Sequence, residues 1–170
     1  MPSPVGHALA AVAIGWVASG PAGPDLVRRS VLIAALGIAP DLDLLIGRHS
    51  METHSVGAAL LAGVAATAMR LPLASTRLRI FLTATLAWAT HAILDSFGAD
   101  TSEPFGVMMF WPFSREHVLF EPFFDPISRR WWLDGFVRNN LMAAVWEVVI
   151  LGPLAVVSWL VTQRNSRRNV

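Results

Sequence analysis

From Leu141 to Val161 the chain is apolar except for one ionisable side chain, Glu147. As a helix, such a run is long enough to cross the hydrocarbon of a bilayer, which takes ~20 apolar residues. A chain of 170 residues that is 54% hydrophobic and only 15% charged has few polar groups with which to cover such a helix in water. A soluble all-helical core is the rival reading, and the low charge count weighs against it. Four shorter apolar runs precede this one and share a pattern: their interiors lack charge, and ionisable groups gather at their ends.

The pattern predicts an all-α integral membrane bundle of about five helices, folded as a single domain over 1–170. The expected helices are about 5–19, 27–46, 53–70, 79–96 and 141–162, with a long aromatic-rich loop, 97–140, between helices 4 and 5. Gly20-Pro21-Ala22-Gly23-Pro24 ends the first and Leu71-Pro72 the third. Thr53 is the expected N-cap of the third. The first four are short for spanning segments, so they cross only if their polar ends are buried in the bundle. The apolar start resembles a signal peptide, but it lacks a basic leader and carries His7, so it reads as retained.

Cysteine is absent, which excludes disulfides and thiolate metal sites and leaves histidine and carboxylate as the donors for any metal. The 13 cations are all arginine. No basic stripe runs through the chain, so nucleic acid is not an expected partner. The arginines sort by connection. With the arginine-rich tail inside, Arg28, Arg29, Arg70, Arg77, Arg79, Arg164, Arg167 and Arg168 lie on the cytoplasmic side, opposed only by Asp25. That orientation puts the N-terminus outside the cytoplasmic (inner) membrane. It also carries His7, His49, His54, His91 and His117 to the outer face.

At that face several helix ends converge: His7, Asp41 with Asp43, His54, and His91 with Asp95. His91 and Asp95 are four apart and stand one turn apart on one side of a helix. Two ionisable groups closing an uncharged run are costly unless partnered. Histidine nitrogen and carboxylate oxygen suit a divalent metal, zinc first and manganese as an alternative. Glu147, about two turns into the fifth helix, is a carboxylate that could reach the same pocket as ligand or general base. Each residue also has a plainer reading. His7 fits an interfacial position, Asp41 and Asp43 fit a helix end, His54 fits a helix start, and His91 with Asp95 fits an internal pair. Glu147 could pair with Arg138. His49 and His117 read as solvated loop residues. One metal site accounts for the main group together, whereas the plain readings each need a separate accident.

In the loop, Phe110-Trp111-Pro112-Phe113-Ser114, Phe120-Glu121-Pro122-Phe123-Phe124 and Trp131-Trp132 alternate aromatics with turn residues. They read as an aromatic belt at headgroup level, or as a rim over the site.

His7, Ala39-Pro40-Asp41-Leu42-Asp43, Thr53-His54-Ser55, His91-Ala92-Ile93-Leu94-Asp95 and Trp111-Pro112-Phe113-Ser114, in that order, resemble the YdjM-like family of inner-membrane-associated proteins classed as metal-dependent hydrolases. The resemblance covers about residues 5 to 115 and implies His7, Asp41, His54, His91 and Asp95 as metal residues, with Asp43 close by. Where members often carry an arginine before the Thr-His-Ser, this chain reads Ser50-Met51-Glu52, leaving Arg48 as the substitute. The order of His and Asp ligands is also similar to that of zinc-dependent phospholipases C, an analogy of fold alone.

The function expected is metal-assisted hydrolysis of a phosphoester or other ester of an amphiphilic substrate, with Asp43 or Glu147 as proton acceptor. Membrane lipids and a lipid-like substrate are the expected partners, and the oligomeric state is left open. The alternative is a non-enzymatic membrane protein whose metal or His/Asp network ties the helices together and binds a partner. A metal transporter ranks last, because the ionisable groups crowd one end.

Overall fold

The computed structural model describes residues 1–21, 25–47, 49–101 and 103–168. Arg48 lies outside them, as do the side chains of Arg167 and Arg168. The described chain is helical: α1 (Pro4–Ser19), α2 (Leu26–Ile38), α3 (Val56–Ala68), α4 (Arg77–Ser96) and α5 (Phe136–Arg168), with 3-10 segments at Ala39–Ile46 and Glu52–His54. Among the described residues no strand forms; Gly98 with Phe124 and Val107 with Val118 make isolated bridges.

α5 is the one described helix long and apolar enough to cross a membrane, and only 22% of its most apolar 18-residue stretch is buried inside the protein. Val145, Val148, Val149, Leu154, Val156, Val157 and Leu160 face outward. A soluble core helix hides such a surface, so lipid is the fitting neighbour. α1 and α3 are apolar but shorter, as their residue patterns anticipate.

α1 packs between α5 and α4, and α4 also receives α2 and α3. Small residues make the approach close. A Cβ on Gly15 would stand 2.5 Å from a methyl of Ile33, and one on Gly37 would stand 2.3 Å from Ala11 Cβ and 2.9 Å from the His7 carbonyl. Ala11, Ile33, Ala66, Leu73, Ile80, Ala84 and Ala87 form the apolar core under these contacts.

Two local expectations change. The second helix stops being α-helical at Ile38 rather than running to 46, because Pro40 has no N–H to donate and the backbone tightens to a 3-10 coil. The cap of α3 is Ser55, whose Oγ accepts from Ala58 N at 3.0 Å. Thr53, the expected cap, turns away and donates to Asp43.

The segment after α4 folds back over the same helix ends. Phe120 N donates to Ser96 O at 2.7 Å, Met108 N to Ser50 O at 3.0 Å, and Val56 N to Met109 O at 2.9 Å. Gly57 N reaches Trp111 O at 3.0 Å, an approach that a Cβ at Gly57 would block at 2.5 Å.

Candidate metal centre

His91 and Asp95 leave the last turns of α4 fully buried, facing His54 and the 3-10 segment that carries Asp41. Trp88, one turn earlier on α4, donates its indole N–H to Thr53 O at 2.8 Å and so fixes the turn presenting His54. The His91 Nδ1 lies 2.7 Å from Gly37 O. A carbonyl only accepts, so Nδ1 carries the proton and Nε2 is left with its lone pair. The His54 Nδ1 lies 3.2 Å from Asp43 Oδ2 and 3.0 Å from Thr53 Oγ1. Its Nε2 is thereby also directed inward.

The two Nε2 atoms meet 3.0 Å apart. Asp95 Oδ2 lies 3.1 Å from His91 Nε2 and 3.3 Å from His54 Nε2. Asp41 Oδ1 lies 3.5 Å and 3.7 Å from the same nitrogens. Donors bound at ~2.0–2.1 Å around a tetrahedral ion stand about 3.3 Å apart. The observed spacings bracket that figure, and all four donor atoms lie within 4.8 Å of one another. Both oxygens of Asp95 are buried, with only the imidazole nitrogens of His7, His54 and His91, among the described residues, within reach of them. Two lone pairs and two carboxylates aimed at one point repel unless a cation sits among them. Asp41, His54, His91 and Asp95 therefore fit a divalent metal ion.

Around this group the supports are specific. Asp43 takes His54 on one oxygen and His49 Nδ1 on the other at 3.3 Å, while the Thr53 hydroxyl donates to it at 2.5 Å. Outer carboxylates of this kind fix the ring and raise its basicity. Burial alone would push the Asp43 carboxyl up; the bonds from His49, His54 and Thr53 hold it well below the ordinary range. Asp41 is likewise held low against its burial by His54 and His91. For His54 the balance runs the other way: burial opposes its charge, but Asp41, Asp43 and Asp95 raise its pKa to about 11. In the metal-free chain the cationic imidazole thus supplies the missing positive charge.

His7 is buried on the far side of Asp95, its Nε2 3.3 Å from Oδ1, and its ring stacks on His91 at 3.7 Å. It is not part of the group of four. Glu147 is fully buried, but its carboxylate is taken by the Ser3 backbone N–H at 2.6 Å and by the Ser3 hydroxyl. It holds the start of α1, next to Gly6, and stands outside both candidate ligand groups. His49, read from sequence as a solvated loop residue, sits against Asp43 with only 21% of its side chain exposed. With Asp43 and His54 it makes a second group of ligand spacing.

The family described as "YdjM inner membrane protein" matches residues 1–166 of this chain. The chain belongs to that family. The match extends through the loop and α5, beyond the residues 5 to 115 on which the resemblance was visible. No curated protein and no solved structure matches the chain significantly. Family membership places the protein among inner membrane proteins, in agreement with the exposed apolar surface of α5. Sequence reasoning missed the parts played by Gly37, Thr53 and His49. The signal available for His49 was its place in the short polar turn between Asp43 and His54.

Proposed function

We propose that this protein is a membrane-bound, metal-dependent hydrolase acting on an ester, a phosphoester first, of an amphiphilic substrate at the outer face of the inner membrane. The observation that carries the reading is the convergence of four donors beneath an open recess. Asp41 and His49 line a cavity of about 220 Å³, so the metal group has a route to substrate. A divalent ion held there, zinc or manganese, would lower the pKa of a bound water and polarise the ester oxygen.

The chain's own residues take the other roles. His54 and His91 are locked as ligands by Asp43 and by the Gly37 carbonyl. His49 lines the cavity with Asp43 behind its Nδ1, and this pair is the proposed proton acceptor. Asp43 thus enters through His49, and Glu147 supports the reaction from a distance by anchoring α1. The arginine distribution supports the outward placement of the site.

Elemental analysis of the detergent-purified protein is the test, beside activity on phosphodiester and carboxylic ester panels. Wild type should hold zinc or manganese, and His91→Ala and Asp95→Ala should lose both metal and activity. His49→Ala should keep the metal and lose activity. No metal in wild type, even after reloading, would overturn the reading.

One observation favours a structural role instead. Four protein donors can close a tetrahedral ion and leave no place for water. In that case chelation would unfold the bundle, whereas a catalytic ion could be removed with the helices intact.

A further inference from the structure

The cavity over Asp41 and His49 does not end at the metal group. Its outer wall is made by Thr101, Pro126, Ile127 and Arg129. These four residues also line a second recess of about 290 Å³, which continues past Arg130 to Leu133. The two recesses share this wall, one reaching inward to Asp41 and His49 and the other outward to Arg130 and Leu133.

Charge is unequal across them. Asp41 closes the inner end among the histidines. Asp100, on the wall, has its Oδ2 engaged by the Gly106 N–H at 3.0 Å. At the outer end, among the described residues, no carboxylate lies within ion-pair distance of Arg129 or Arg130, and both are exposed. Beside them, Trp131, Trp132 and Leu133 are 75%, 64% and 48% exposed. Guanidinium groups next to outward-facing indoles match a bilayer interface, where the cation meets phosphate and the ring lies among headgroups.

We propose that the two recesses join across this wall as one groove, a binding subsite for the phosphate of an anionic lipid. Arg129 and Arg130 hold the phosphate oxygens, as guanidinium forks do, while the acyl portion lies against Trp131, Trp132 and Leu133. The inference names the substrate class of the proposed hydrolase and rests on that reading for what happens at the inner end. Binding in the groove itself needs no metal.

The test is native mass spectrometry of the full chain released from detergent, with phosphatidic acid or phosphatidylcholine as probe and inorganic phosphate as competitor. Wild type should retain phosphatidic acid in preference to phosphatidylcholine, and His91→Ala, which lacks a metal ligand, should do the same. Arg129→Ala/Arg130→Ala should weaken phosphatidic acid about tenfold or more, the scale of a lost charge-assisted contact, with metal content unchanged. Arg129→Lys/Arg130→Lys should recover part of the loss.

Preference for phosphatidic acid that survives the double alanine variant would overturn the proposal. So would a preference that disappears in His91→Ala but not in the arginine variant, which would put the phosphate on the metal and leave the metal reading standing. Inorganic phosphate displacing the lipid at equal concentration would make the site one for free phosphate. Phosphatidic acid held by a chain that takes up no metal would keep the subsite and refute the hydrolase.

Discussion

Replacing Asp43 with asparagine separates the two ways in which the buried donors could share a metal. Asp43 keeps its size in this change but loses the charge that faces His54 Nδ1 at 3.2 Å and His49 Nδ1 at 3.3 Å. If His54 binds the ion through Nε2, Asp43 is an outer partner, and removing such a partner lowers metal affinity about 10- to 100-fold. The Thr53 hydroxyl, 3.0 Å from the same Nδ1, remains as a substitute acceptor. Asp43→Asn should therefore fall near the lower bound, about tenfold or ~1.4 kcal/mol. The double variant Asp43→Asn/Thr53→Val should approach about 100-fold, because neither acceptor remains. Competition between the detergent-solubilised protein and a chromogenic zinc chelator measures both, with His91→Ala as the fully depleted control. An unchanged affinity in the double variant would show that His54 needs no orienting partner. A loss in Asp43→Asn as complete as in His91→Ala would make Asp43 a direct ligand of an ion that His91 also holds.

Other outcomes follow from the same geometry. Gly37→Ala puts a Cβ 2.3 Å from Ala11 and 2.9 Å from the His7 carbonyl; it should lower both thermal stability and zinc affinity, although Gly37 is no ligand, because its carbonyl sets the His91 tautomer. Ser3→Ala removes the hydroxyl that donates to buried Glu147 and should cost about 1–3 kcal/mol in unfolding experiments in detergent, with the metal retained. Metal-free protein should lose stability as pH rises: the His54 pKa stands near 11 against 6.5 unfolded, so its contribution is full below 6.5 and drains away towards 11. Metal-loaded protein, with His54 already deprotonated, should not show this loss, so thermal scans with and without chelator at about pH 6 to 9 should diverge upward. Parallel curves would refute the assignment of His54 as a ligand.

The helical fold was legible because apolar runs with charged ends admit few other solutions. α5 was plainest, since its long run of valines and leucines is uncharged but for Glu147 and largely exposed. Convergence of Asp41, His54, His91 and Asp95 was legible through one topology argument that carried the histidines to one face. Distances within that face were not. A sequence does not show that the His91 Nδ1 finds the Gly37 carbonyl, because that contact depends on how closely α1, α2 and α4 pack. Glu147 illustrates the same gap: its burial could be anticipated from the apolar run around it, but its partner, Ser3, lies 144 positions away. Thr53 went to Asp43 rather than to the helix end because Ser55 caps α3 at no comparable loss. Local propensity allows either residue, and the tertiary acceptor decides between them.

The change from α-helix to 3-10 coil at Pro40 explains why Asp41 and Asp43 take different parts. A 3-10 coil turns about 120° per residue, so residues two apart point about 120° away from each other, and one imidazole can stand between their carboxylates. Asp41 approaches His54 at Nε2, at 3.7 Å, and Asp43 approaches it at Nδ1, at 3.2 Å. Each carboxylate thereby meets a different nitrogen of the same ring. Asp41, which also lines the cavity, shares the donor group with His91 and Asp95; Asp43, the more deeply buried of the two, holds the tautomer and reaches His49. Replacing each in turn with asparagine tests the division. Asp41→Asn removes a charged donor from a group in which Asp95, His54 and His91 remain, whereas Asp43→Asn leaves all four donors in place and loosens one of them. Asp41→Asn should therefore lower zinc affinity more than Asp43→Asn does, and the reverse order would mean that the ring of His54 presents its other nitrogen to the metal.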